Sequence, residues 1–154
     1  MAEEPQKRRE VRILALDVGE KRIGLAVSDP LGITAQGLEV LIRQDRASDL
    51  ERLVKVAREW RVQLIVVGLP RHMDGRLGAA APQILELVAI LQKTRGVEVV
   101  TWEERLTTVE AERVLIQADV SRRRRRQVVD QLAAVLILQN YLDHRHLQGP
   151  PPSP

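Results

Sequence analysis

The 154-residue chain has no cysteine, no phenylalanine and very few other aromatics, namely Trp60, Trp102 and Tyr141. The missing cysteines exclude disulfides, thiol catalysis and cysteine-ligated zinc. The scarcity of aromatics argues against recognition that stacks several bases on aromatic platforms, so any nucleic acid is contacted mainly through backbone and shape. Histidine is sparse as well (His72, His144, His146), which leaves little for a histidine-ligated centre. A metal would therefore be held mostly by oxygen, which points to magnesium or manganese. Long apolar runs are also absent. The first ten residues are charged and lack the apolar stretch of a signal peptide, and no later run is long enough to span a bilayer. A cytoplasmic protein with no membrane partner is expected.

What is present is ordinary for one globular domain, with 44% hydrophobic and 29% charged residues. The net charge is only +3, but a pI near 9.8 and a preference for arginine over lysine bias the chain towards phosphate-bearing partners. Arginine richness can also follow from genomic base composition. Residues 1–10 and the proline-rich 147–154 are expected to be disordered ends around a domain spanning 11–146.

Two β-capable runs, 11–18 and 22–29, flank Gly19-Glu20-Lys21, a hairpin signal. A third strand fits 37–42. Leu50, Leu53, Val54 and Ala57 carry helical spacing within 45–60. The doubly apolar Leu64-Ile65-Val66-Val67 reads as an interior parallel strand. A helix is predicted over 79–94, with Ile84, Leu87, Val88 and Leu91 on one face, and a fifth strand over 97–102. Thr107 with Glu110 can box the start of a helix running to about Ala118. A last helix follows the arginine run 122–126. The order predicts an α/β domain, a mixed sheet flanked by helices, with ligands gathering at strand carboxyl ends.

Three acids sit at odds with that apolar pattern. Asp17 ends the run Ile13-Leu14-Ala15-Leu16, Glu104 follows Val99-Val100, and Asp130 shares a helix face with Ala133, Ala134 and Ile137. An unpaired carboxylate in a low-dielectric site costs several kcal/mol or protonates, so each placement needs a partner. Each also has a plain explanation. Asp17 could close a turn, Glu104 could pair with Arg105 or Arg113, and Asp130 could be satisfied by helix-start amides or by the neighbouring arginines.

Taken together, Leu16-Asp17-Val18-Gly19-Glu20-Lys21-Arg22-Ile23-Gly24, Val67-Gly68-Leu69-Pro70 with Met73-Asp74-Gly75, Glu103-Glu104-Arg105-Leu106-Thr107-Thr108 and Val129-Asp130-Gln131-Leu132-Ala133-Ala134 resemble the YqgF family. This bacterial group has a ribonuclease H-like fold and is described both as Holliday junction resolvases and as nucleases maturing the 5′ end of pre-16S rRNA. The resemblance covers about 11–143. It implies a ribonuclease H-like five-stranded mixed sheet with Asp17, Glu104 and Asp130 converging as catalytic and metal-holding residues. The family usually has Asp-Glu-Arg where this chain has Glu103-Glu104-Arg105, so the catalytic role goes to Glu104 and Glu103 is left as an outer group. His72 is given no role beyond contact with phosphate or water.

On that resemblance a Mg2+ or Mn2+ two-metal site is expected, with Asp17 bridging and Glu104 and Asp130 each completing one side. Lys21, Arg22, Arg71, Arg76 and Arg105 are expected near the active face as nucleic-acid contacts. The run Arg122, Arg123, Arg124, Arg125 and Arg126 is either a backbone clamp or a solvated helix entrance. The expected partner is structured RNA or branched DNA, with ribosomal precursor particles as a candidate assembly and either a monomer or a homodimer. The leading expectation is maturation of the 5′ end of pre-16S rRNA, with resolution of four-way DNA junctions as the alternative. A non-catalytic nucleic-acid-binding module is a further alternative. Asp17-Val18-Gly19 also resembles the first phosphate motif of actin-like ATPases, but those need a second lobe that 154 residues cannot easily house.

Overall fold

Apolar and β-branched residues alternate between two buried faces along the first strand, β1 (Arg12–Val18), and a short tip returns the chain as β2 (Arg22–Ser28). The computed structural model describes residues 12–70, 78, 80–94, 96–104 and 122–147. After β2 come β3 (Ala35–Ile42), α1 (Arg46–Glu59), β4 (Val62–Pro70), α2 (Ala81–Leu91), β5 (Glu98–Glu104) and a long closing helix, α3 (Arg122–Leu147). The strands form one five-stranded sheet in the order β3-β2-β1-β4-β5. The β1–β2 and β2–β3 pairs are antiparallel, whereas β1–β4 and β4–β5 are parallel. The sheet is mixed, as the sequence order predicts.

Each face of the sheet has its own core. Leu14, Leu16, Ile23, Leu25, Ile65 and Val67 pack with Leu53 and Val56 of α1 and with Ile84, Leu87, Val88 and Leu91 of α2. Ile13, Ala15, Ala26, Leu64 and Val66 pack on the other side with Ala134, Ile137, Leu138 and Leu142 of α3. Alanines on both partners let α3 lie close to the strands. Two glutamines set its direction. Gln131 Nε2 donates to Leu38 O (2.7 Å), and Gln139 Oε1 accepts from Ala35 N–H (3.2 Å). Because Ala35 pairs with Ser28 and Ile42 with Arg22, the N-terminal half of α3 lies towards the end of the sheet where β1 finishes.

Several boundaries differ from the sequence reading. β3 begins at Ala35 because Asp29 closes the preceding turn, accepting from the N–H groups of Ile33 (2.6 Å) and Thr34 (2.8 Å). β4 runs on to Pro70, since β5 pairs along its outer side through Pro70–Glu104. Glu104 is therefore the last residue of β5 rather than a residue just beyond it. In α1 the buried stripe is Asp49, Leu53, Val56 and Ala57, turned from the expected one, and Leu50 and Val54 are half-buried. The arginine run does not precede the last helix; it forms the first turns of α3. The N-terminal extension, residues 148–154 of the expected tail and the helix expected from Thr107 to Ala118 lie outside the described residues, whereas Leu147 ends α3.

Candidate active site

β1, β4 and β5 run parallel, so their carboxyl ends form one rim. Asp17 pairs with Gly24 across the hairpin, one residue beyond the Leu16–Val67 pair. Gly68, the next residue of β4, pairs with Trp102, and Pro70 pairs with Glu104. Position 104 thus lies two strand spacings, roughly 10 Å, across from β1 and two residues nearer the rim.

Strand parity decides which face each position occupies. Ile13 and Ala15 belong to the α3-side core, and Asp17 continues that alternation. Val100 and Trp102 pack on the same side while Val99 packs on the other, so register puts position 104 on the α3 face and position 103 on the opposite one. Glu103 is exposed and Asp17 half-buried. On α3, position 130 precedes Ala134 and Ile137 by four and seven residues, the spacing of the buried stripe. It adjoins Gln131, which is tied to Leu38, and so lies in the half of α3 nearest the rim. The backbone brings the three positions to one end of one face.

That packing is anchored at two places. A Cβ at Gly37 would lie 2.8 Å from Gln131 Cγ, so a side chain there requires either the Gln131 side chain or α3 to shift. At the other edge Trp102 packs edge-on to Tyr141 (5.6 Å between centroids) and against His144 (5.0 Å).

The β1–β2 tip carries Lys21, exposed, and Arg22, half-buried, beside Asp17. Gly19 N–H donates to Arg22 O (2.8 Å) to close the turn, and a Cβ on Gly19 would meet that oxygen at 2.9 Å. The first turns of α3, positions 122–126, extend past position 130 at the same end of the sheet, by about 12 Å at 1.5 Å per residue from 122. Arg71, Arg76 and Arg105, with His72 and the Met73-Asp74-Gly75 motif, lie outside the described residues.

Sequence reasoning missed Asp49, which is only 2% exposed. Its Oδ1 accepts from Gln44 N–H (3.0 Å) and the Arg52 guanidinium (2.7 Å), and its Oδ2 from Arg43 Nε (3.3 Å). Burial, the largest single influence, pushes its carboxyl up, but the Gln44 amide and the two guanidinium groups together outweigh it and hold it below the usual range. The signal was available, since Asp49 precedes Leu53 and Val56 at helical spacing just as Asp130 precedes Ala134 and Ile137.

Residues 11–144 match the RuvX family, described as Holliday junction resolvase. The chain belongs to that family. A relative from Halothermothrix orenii is 49% identical over 136 residues, covering 88% of this chain and 97% of its own, and bears the name "Putative pre-16S rRNA nuclease". One from Thermoanaerobacter pseudethanolicus with the same name is 49% identical over 134 residues, 86% of this chain and 96% of its own. Among solved structures, RuvC of T. thermophilus in complex with Holliday junction substrate has a TM-score of 0.54 at 17% identity, over 88% of this chain and 96% of that one. The fowlpox virus Holliday junction resolvase gives 0.54 at 14% identity, over 88% of this chain and all of that one (100%). These two share the ribonuclease H-like fold with the RuvX member described here. The protein is a nuclease, a hydrolase of phosphodiester bonds. Among the described residues no helix is long and apolar enough to cross a membrane.

Proposed function

We propose that this RuvX protein is a divalent-metal nuclease that processes the 5′ end of pre-16S rRNA, with Asp17, Glu104 and Asp130 as its catalytic and metal-holding residues. The observation that carries the reading is the register that puts positions 17 and 104 on one face at the carboxyl rim, with position 130 at the same end of α3. The near full-length similarity to relatives named for pre-16S rRNA supports the substrate. The donor set fits a hard cation, since its members are carboxylates and the chain has no thiol to compete. When bound there, Mg2+ or Mn2+ supplies activation of a water and neutralisation of charge on the scissile phosphate.

The rest falls to the chain itself. Asp17 sits on a central strand hydrogen-bonded to β2 and β4, so its backbone is fixed before substrate arrives. Lys21 and Arg22 flank it on the tip and bind phosphates beside the cut. Arg71, Arg76 and Arg105, which follow β4 and β5 in the sequence, do the same. Arg122 to Arg126 open α3 at the acid end, where both their charge and the helix N-terminus favour a phosphate backbone. The site acts in the cytoplasm on ribosomal precursor particles.

The test is a matched cleavage panel with Mg2+ and with Mn2+: a pre-ribosomal leader, single-stranded RNA, single-stranded DNA and a four-way junction. Metal-dependent cleavage of the leader, lost in Asp17→Asn, is the expected result. A second reading, junction resolution, is favoured by the description of the matching family. Cleavage confined to the junction would replace the first reading with it. Binding that survives removal of all three acids, without cleavage of any substrate, would reduce the protein to a binding module.

A further inference from the structure

The tip between β1 and β2 carries Gly19-Glu20-Lys21, and one residue outside the hairpin takes up two of its carbonyls. Arg43 N–H donates to Lys21 O (2.9 Å), continuing the β2–β3 ladder one step past the Arg22–Ile42 pair. The guanidinium of the same residue donates through Nη1 to Gly19 O (3.0 Å). Its Nε faces Asp49 Oδ2 at 3.3 Å. Asp49 cannot swing away, because the Gln44 amide and Arg52 hold its other oxygen and it is buried at the start of α1. Arg52 in turn donates to Ile42 O (2.6 Å), which locks the residue before Arg43.

We infer that Arg43 is a positioning residue for the acid end of the sheet, its guanidinium bridging buried Asp49 to the Gly19 carbonyl and so fixing the tip that carries Lys21 and directly follows the strand end bearing Asp17. The bridge runs from α1 on one face of the sheet to a strand end that serves the other. Only a planar fork can span it. A lysine ammonium keeps the charge but is a single point at the end of a flexible stem, and it cannot hold Nε and Nη directions fixed at once. Lys21 lies in the turn itself and Asp17 is two residues before Gly19, so slack at the tip moves Lys21 directly and reaches Asp17 through the Val18–Ile23 pair that closes the ladder. Misplacing a reacting group by about 1 Å costs on the order of 100-fold in rate.

The inference rests on the proposed site, and the experiment separates the two. Arg43→Lys, Asp17→Asn and a core control, Ile84→Val on α2, are assayed on the substrate that the wild type cleaves, with Tm measured for each. The expectation for Arg43→Lys is a kcat loss of about 10- to 100-fold with KM within about 3-fold of wild type, while Ile84→Val keeps kcat despite a lower Tm. Amide exchange at Gly19 and Arg43 should rise at least about 10-fold in Arg43→Lys, while α1 residues 53–57 keep wild-type protection. If Asp17→Asn is inactive but Arg43→Lys turns over like the core control, the positioning role is wrong and the site stands. If Asp17→Asn cleaves normally, the site itself is wrong. Unchanged exchange at the tip would overturn the bridge whatever the activity.

Discussion

The two faces of this sheet end differently at the rim. On the α1/α2 side apolar packing continues outward through Val67 and Leu69. On the α3 side the core stops at Ala15, Val66 and Trp102, and the next positions of matching parity on β1 and β5 are Asp17 and Glu104. The contrast holds on the central strands, where the α1/α2 face stays apolar through Val18, Val67 and Leu69 while the α3 face of β1 ends in Asp17; on the edge strand β5 the α1/α2 face already ends in exposed Thr101 and Glu103. The proposed site lies where the apolar layer on the α3 face of β1 stops short, while the layer behind it runs on along β1 and β4.

The contrast breaks most visibly in the core of the first face. Ile84 is 2% exposed among α1, α2 and sheet residues. Ile84→Ala should cost about 2–5 kcal/mol of stability. Yet the folded fraction should cleave at the wild-type rate, as chemical denaturation and single-turnover kinetics on one sample would show. A rate loss exceeding the loss of folded protein would mean that this face also tunes the site.

Gly37→Ala strikes the other face with a smaller stability effect and a larger functional one. The added methyl meets Gln131 Cγ at 2.8 Å, so either Gln131 leaves Leu38 O or α3 moves off β3. Overpacking of this kind costs about 1–3 kcal/mol. Because position 130 adjoins Gln131, kcat should fall further than for an equally destabilised Ile84 variant. Equal rates in the two would detach α3 placement from catalysis.

How much of this was legible in advance follows from what sequence patterns record. Alternation and helical spacing fixed the faces of β1, α2 and α3, because each buries a side that its own residues define. The rim was harder. The end of β5 depends on pairing with Pro70, a partner 34 positions away by number, and no local signal extends a strand through Glu103 and Glu104. The arginine run reads as a break in the apolar pattern, yet its backbone joins α3, because a helix already packed on a sheet extends more readily than it starts anew. Asp49 was missed for a different reason. Choosing only apolar residues to define the stripe of α1 drew the eye to Leu50 and Val54, which are half-buried, and past the acid that heads the true stripe. The acids at 17, 104 and 130 were singled out by the same kind of misfit, but the sequence alone could not bring them to one end. The strand order and the direction of α3 do that.

The smallest expected effect lies in the acid limb of stability, and it separates structural acids from those at the rim. The Asp49 carboxyl is held below its usual range: burial alone would raise it, but the Gln44 amide, Arg52 and Arg43 win. Asp29 is lowered likewise, with desolvation outweighed by the amides of Thr34, Ile33 and Leu31, and Asp45 is lowered by the Ser48 amide and hydroxyl. A depressed folded pKa means that the unfolded chain binds more protons at low pH. Stability is therefore full above the unfolded value of about 3.9 and drains as pH falls through the lower folded values. Asp49→Asn removes only one of these contributions. Thermal unfolding between pH 6 and pH 2.5 should then show a lower plateau, because two guanidinium groups lose their carboxylate, together with a shallower acid slope that Asp29 and Asp45 keep from vanishing. An acid slope as steep as that of wild type would mean that folding does not lower the Asp49 carboxyl, and the charge pairing of Asp49 with Arg43 and Arg52 would be overturned.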